Sequence, residues 1–126
     1  MNVNTLNGST LAYMGDCVIE LKIREFALKS GSGDSGELNS IVISMVNARA
    51  QSAAMKNIED LLTEEEKDFF RRGRNSHVSI PKSASSEEYH RATGMEALFG
   101  MLYLTGQNER IDFLLDSAYG KNISGR

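Results

Sequence analysis

The chain has 126 residues, 40% of them hydrophobic and 25% charged, with one cysteine and a formal net charge of −3. That length fits a single domain of ordinary soluble composition, and a lone thiol excludes an intrachain disulfide, in keeping with a reducing, cytoplasmic setting. No segment approaches the roughly 18 continuous apolar residues of a membrane span, and the opening M-N-V-N-T-L-N-G lacks the basic-then-apolar build of a signal peptide.

Taken in chain order, the periodicity predicts helices throughout. The first starts near Ser9 or Thr10, either of which is a suitable cap, and runs to about Lys29. Leu11, Met14, Val18 and Leu21 line one side of it and Ile19, Ile23 and Phe26 another, with a narrow polar stripe of Asp16, Glu20 and Arg24 between them. Cys17 lies inside the apolar run, where a free cysteine is expected to act as a small buried hydrophobe. The Gly/Ser-rich stretch 30–36 reads as a connector. A helical region follows from Glu37 to about Leu62, interrupted near Asn47, which ends one helix and caps the next. Thr63 with Glu66 makes a capping box for a short helix stopping at Gly73. Residues 74–85 form a loop holding the only proline, Pro81. Ser85 with Glu88 repeats the capping-box spacing and opens a helix that continues through, or restarts at, Gly94 and ends near Gly106. Asn108 caps a last helix ending at Gly120, and the tail 121–126 reads as disordered. No stretch alternates with the period of a strand, so the fold class is all-α.

Two acids stand inside the most apolar helices: Asp16 in L-A-Y-M-G-D-C-V-I-E-L and Glu96 in A-T-G-M-E-A-L-F-G-M-L-Y-L. A carboxylate taken from water needs a cation, a donor or a proton. Asp16 has an ordinary alternative in an arginine pair. Glu96 has one in Thr93-Gly94-Met95-Glu96, which matches a capping box. Gly15 beside Asp16 and Gly100 one turn after Glu96 permit two helices to cross closely, with both carboxylates aimed at one point. Mg²⁺ suits such a pair, since it takes hard oxygen ligands and is held by one or two carboxylates plus water and substrate phosphates. His77, in the loop, and His90, on an exposed turn, have no partner at metal-ligand spacing.

Charge is unevenly spread. Residues 59–68 carry six acids and one base, whereas 71–91 carry Arg71, Arg72, Arg74, Lys82 and Arg91 against only Glu87 and Glu88. Arginines in a last helical turn meet the helix dipole favourably, which accounts for Arg71 and Arg72 without a ligand. Arg74, Lys82 and Arg91 are left for phosphate contacts, which position a protein without reading sequence. Aromatic stacking platforms are absent, which favours duplex RNA over single strands.

These motifs resemble the ribonuclease III family. L-A-Y-M-G-D-C-V-I-E-L is similar to its E-R-L-E-F-L-G-D-A signature, and A-T-G-M-E-A-L-F-G to its second acidic motif, D-x-x-E-A-L-I-G. L-T-E-E-E-K-D-F-F-R-R-G-R-N followed by P-K resembles the Mini-ribonuclease III subfamily, a catalytic domain without a double-stranded-RNA-binding domain. The resemblance spans 9–119 and implies that residues 1–120 form the ribonuclease III endonuclease-domain helical fold. It implies a Mg²⁺-dependent endoribonuclease in which Asp16 and Glu96 are the catalytic, metal-holding residues. Arg71, Arg72, Arg74, Lys82 and Arg91 are the expected RNA contacts. A homodimer is implied, with Tyr13 at the interface, cutting double-stranded RNA and maturing precursor 23S ribosomal RNA. Ala12 and Thr93 stand where the family has further acids, which implies a weaker or water-supplemented metal site. They also favour an alternative, a dimer that binds structured RNA without cutting it. A third reading is a helical adaptor that buries both acids in arginine pairs.

Overall fold

The computed structural model describes residues 1–31, 33–76 and 85–126, and His77, Pro81 and Lys82 lie outside these. The described residues form six α-helices and no strand: α1 (Gly8–Leu28), α2 (Ser35–Met45), α3 (Ala48–Lys56), α4 (Glu64–Arg74), α5 (Ser86–Leu104) and α6 (Asn108–Tyr119). Short 3₁₀ turns occupy Val3–Thr5 and Glu59–Leu61.

Side-chain caps set most boundaries. Asn7, rather than Ser9 or Thr10, caps α1, its Oδ1 accepting from the Thr10 amide at 2.8 Å. Asn47 breaks the second helical region as expected, accepting from the Ala50 amide at 2.9 Å. The Thr63–Glu66 box forms in both directions, at 3.1 and 2.9 Å, and Ser85 accepts from the Glu88 amide at 3.1 Å. α5 then runs unbroken through Gly94. Thr93 consequently caps nothing, and its hydroxyl donates to the Tyr89 carbonyl at 2.9 Å. α6 begins at Asn108 with Gln107 at the cap position and no side-chain cap bond, and it ends on Gly120 in the left-handed region, φ 62°.

α5 is the central helix, packing most extensively against α1 and then against α4 and α3. Met95, Leu98, Phe99, Met101 and Leu102 of α5 are fully enclosed by Leu11, Ile19 and Ile23 of α1, Met55 of α3 and Ile111 and Leu114 of α6. The tail departs from expectation. Ile123 is 1% exposed in the core, Ser124 bonds the Asp116 carboxylate at 2.6 and 2.8 Å, and Arg126 Nε reaches Asp112 at 2.8 Å. One apolar side chain and two acids on α6 are enough to dock a segment whose composition alone reads as disordered.

Candidate active site

α1 and α5 pass each other in opposite senses, Gly15 facing Glu96 and Gly100 facing Leu11. A β-carbon on Gly15 would overlap the carbonyl oxygen of Glu96, and one on Gly100 that of Leu11. Backbone thus meets backbone at both glycines, which is the close crossing their positions predict. Asp16, the residue after Gly15, and Glu96 therefore emerge at the same crossing.

Their surroundings differ. Glu96 is half-buried, whereas Asp16 is exposed, not enclosed as its apolar neighbours suggest. Burial and then the charge and side chain of Asp16 push the Glu96 carboxyl up to about 8, only partly offset by the Gln51 amide. Among the described residues no lysine, arginine or histidine forms an ion pair with either acid. The other enclosed acids behave oppositely. Burial pushes Glu66 up, but Arg110, bonding it at 2.8 and 2.9 Å, and Thr63 outweigh burial and hold it below the usual carboxylate range. Burial likewise opposes ionisation of Asp112, and Arg126 with Lys22, the latter at 3.0 Å, reverses it. This fold pairs the acids it encloses; at the α1–α5 crossing it does not.

Two further side chains are coupled to the Glu96 carboxyl, and sequence reasoning passed over both. Gln51 on α3 is 4% exposed, and its Nε2 has no hydrogen-bond partner among the described residues. Its signal was present: Gln51 heads the stripe Gln51, Ala54, Met55, Ile58, whose i, i+3, i+4, i+7 spacing is that of a buried face, so an amide there is anomalous. Tyr119 at the end of α6 donates its hydroxyl to the Met45 carbonyl at 2.7 Å. Burial, and then the charge of Glu96, hold its phenol above the ordinary range.

The donor set fits a divalent cation of hard character: two carboxylates without a counter-charge, one of them reluctant to ionise, and oxygen atoms alone. No group of three or more His, Cys, Asp or Glu side chains converges among the described residues. His90, half-buried rather than exposed, lies edge-on to Tyr89 at 6.3 Å between ring centres.

The expected cationic contacts are placed unequally. Arg71, Arg72 and Arg74 are exposed at the C-terminal end of α4. Arg71 pairs with Asp68, Arg72 lies 4.5 Å over the Phe69 ring, and Arg74 lies 5.5 Å from the Phe70 ring centre. Arg91 departs from the expectation of a free RNA contact. Its side chain is largely enclosed and paired with Glu59 and Glu87, binding α5 to the turn before α4. Sequence could not anticipate this, because Glu59 lies 32 residues away. Lys82 is outside the described residues.

Tyr13 is 79% exposed, and Cys17, Leu21 and Leu28 are exposed on the same face of α1. At ~100° per residue these four fall within an arc of about 80°, bordered by Asp16.

Fold and site together define an all-helical protein carrying a paired-carboxylate centre on crossed helices. The ribonuclease III domain family matches residues 9–107. The Mini-ribonuclease 3 of Symbiobacterium thermophilum is 43% identical over 118 residues, 93% of this chain and 91% of that protein. A Mini-ribonuclease 3-like protein of Ilyobacter polytropus is 38% identical, covering 93% of this chain and 92% of that protein. A crystal structure of a Fusobacterium nucleatum protein, 36% identical, superposes with a TM-score of 0.83 over 89% of this chain and 90% of that one. The chain belongs to the ribonuclease III family, with Mini-ribonuclease 3 proteins among its relatives, and is by class an endoribonuclease.

Proposed function

We propose that this chain is a Mg²⁺-dependent endoribonuclease that cuts double-stranded RNA as a cytoplasmic homodimer, maturing the ends of precursor 23S ribosomal RNA. The observation that carries the metal-dependent reading is the contrast among carboxylates. Glu66 and Asp112 have cationic partners inside the fold, and Asp16 with Glu96 have none among the described residues. Two carboxylates balance the charge of one divalent cation.

Asp16 and Glu96 would hold the Mg²⁺. When bound, the ion supplies Lewis-acid relief of phosphate charge and activation of water for attack on the phosphodiester. The chain's own contributions follow from placement. Asp16 is exposed and so open to a bound duplex. Glu96, half-buried, is anchored through a helix backbone that cannot shift without opening the Gly15 contact. Arg71, Arg72, Arg74 and Lys82 supply phosphate contacts. Arg71 exchanges only a surface ion pair for a phosphate, and such pairs are worth ~1 kcal/mol or less. Arg91 is left out, because its acids already occupy it. The exposed apolar face of α1 supports the dimer, with Tyr13 inside the interface and the partner duplicating the site for the second strand.

Cleavage of a ribosomal-RNA hairpin with and without Mg²⁺ tests the reading, together with Asp16→Asn and Glu96→Gln, each expected to abolish product without unfolding the protein. RNA affinity should fall steeply with salt. Full activity in either variant removes that acid from the mechanism. Binding that is indifferent to Mg²⁺, with no product, would establish the non-cutting alternative favoured by Ala12 and Thr93. Tyr13→Glu is expected to convert the dimer to monomer in sedimentation, since it sets two carboxylates against an apolar interface.

A further inference from the structure

Gln51 is costly where it stands. Its side chain is almost wholly enclosed, with Nε2 lacking any partner at hydrogen-bonding distance among the described residues. Leucine or methionine would fill the same place in the stripe with Ala54, Met55 and Ile58 and leave no donor stranded. Buried donors are ordinarily satisfied, and an exception calls for a partner that arrives later. The neighbour is Glu96. The amide stands beside that carboxyl and favours its anion, yet Nε2 closes no hydrogen bond of normal length among the described residues. The carboxylate also decides which way the amide faces: Nε2 toward an anion attracts, and Oε1 toward it repels.

We propose that Gln51 is a positioning residue of the active site, its Nε2 donating to the Glu96 carboxylate in the ionised, cation-holding state and fixing the orientation of that ligand. Metal-ligating carboxylates are commonly held in this way by outer hydrogen bonds, and removing such a partner costs 10- to 100-fold in metal affinity. Among the described residues the enclosed donor has no partner without the cation, and the ion's hold on the Glu96 carboxylate would set an acceptor in front of it. The inference rests on Asp16 and Glu96 being the metal site.

The test uses the full chain with Mn²⁺ as probe, its affinity read by electron paramagnetic resonance and the metal-free Tm by calorimetry. Gln51→Leu, with Gln51→Met as a volume-matched second variant, should melt at the wild-type temperature or a few degrees above it without metal, because a stranded donor has been removed. Mn²⁺ affinity should fall about 10-fold or more, and kcat on a duplex substrate should fall with it while KM for RNA stays level. A substituent that merely packs the core would give the reverse, a lowered Tm with Mn²⁺ affinity intact, and that result in both variants overturns the proposal. Gln51→Glu separates donor from ligand. It should weaken Mn²⁺ binding by setting a second anion against Glu96, and affinity at or above wild type would make position 51 a ligand instead. Should the wild-type protein bind no Mn²⁺, the metal-site reading itself fails. Should wild type bind and the leucine and methionine variants bind equally well, only the role of Gln51 fails.

Discussion

Glu96→Gln should stabilise the metal-free protein, and by an amount that depends on pH. The Glu96 carboxyl lies near 8 in the folded chain against an ordinary 4.5. Between those values the folded state holds a proton that the unfolded state has released, so stability is greatest at or below about pH 4.5 and declines as pH rises toward 8. At pH 7 the separation from the unfolded value is 7 minus 4.5, which at ~1.4 kcal/mol per unit amounts to on the order of 3 kcal/mol. Glutamine carries no charge at any pH and escapes this decline. The variant and the wild type should therefore melt together near pH 5 and separate by on the order of 10 °C at pH 7, taking ~3–6 °C per kcal/mol for a chain of this size. Calorimetry in EDTA at pH 5, 7 and 8 measures the gap. Saturating Mg²⁺ should narrow it, because only the wild type gains from the ion, by about 2.7 kcal/mol at a hundredfold excess over Kd. Melting curves that stay parallel from pH 5 to 8, or a variant less stable than wild type at pH 8, would refute the claim that Glu96 is drawn from water without a cationic partner among the described residues.

Gly100→Ala should cost about 3 kcal/mol in urea denaturation, since the added methyl meets the Leu11 carbonyl oxygen, which belongs to backbone and cannot swing aside. Glu66→Ala should cost about 3–5 kcal/mol, because it strands Arg110 and opens the capping box of α4. Here the pH dependence reverses: the folded carboxyl lies below its ordinary value, so its contribution is present above about pH 4.5 and lost as pH falls, a trend absent from the variant. Truncation after Gly120 should cost about 2 kcal/mol through exposure of Ile123 and of the α6 surface beneath it, measured by chemical denaturation.

The helices were legible because their ends are written locally. Thr63 with Glu66, Ser85 with Glu88 and Asn47 each satisfy backbone amides within three residues. The crossing of α1 and α5 was legible too, since Gly15 and Gly100 sit one position or one turn from the acids. What failed was anything decided by distant partners. Cys17 and Leu21 read as enclosed because they stand in apolar surroundings on α1, yet both are exposed. Periodicity records that a face is apolar but not whether its own chain covers it. Arg91 looked available because Glu59 is far off in sequence, and Gln51 looked ordinary because its relation to Glu96 exists only once α3 packs on α5. The tail was misread for the same reason, since its anchors Asp112 and Asp116 lie on another element.

The two positions where the resemblance calls for further acids are also explained by this crossing. Ala12 is buried in the face of α1 that packs on α5, and Thr93 is buried with its hydroxyl already given to the Tyr89 carbonyl. A carboxylate at either place would add a third negative charge to the helix pair that carries Asp16 and Glu96, whose carboxyl already resists ionising through burial and the charge of Asp16. The neutral amide of Gln51 stands beside Glu96 instead, and the Tyr119 phenol, committed to the Met45 carbonyl, lies within reach of its charge. Replacing charge by dipole lowers the self-repulsion of the site without metal and leaves a charge of two to be balanced by one cation. On that account the loss of two acids does not argue for lost activity, and under the proposed mechanism it leaves Asp16 and Glu96 to hold the cation, with the Gln51 amide placed to steady one of them.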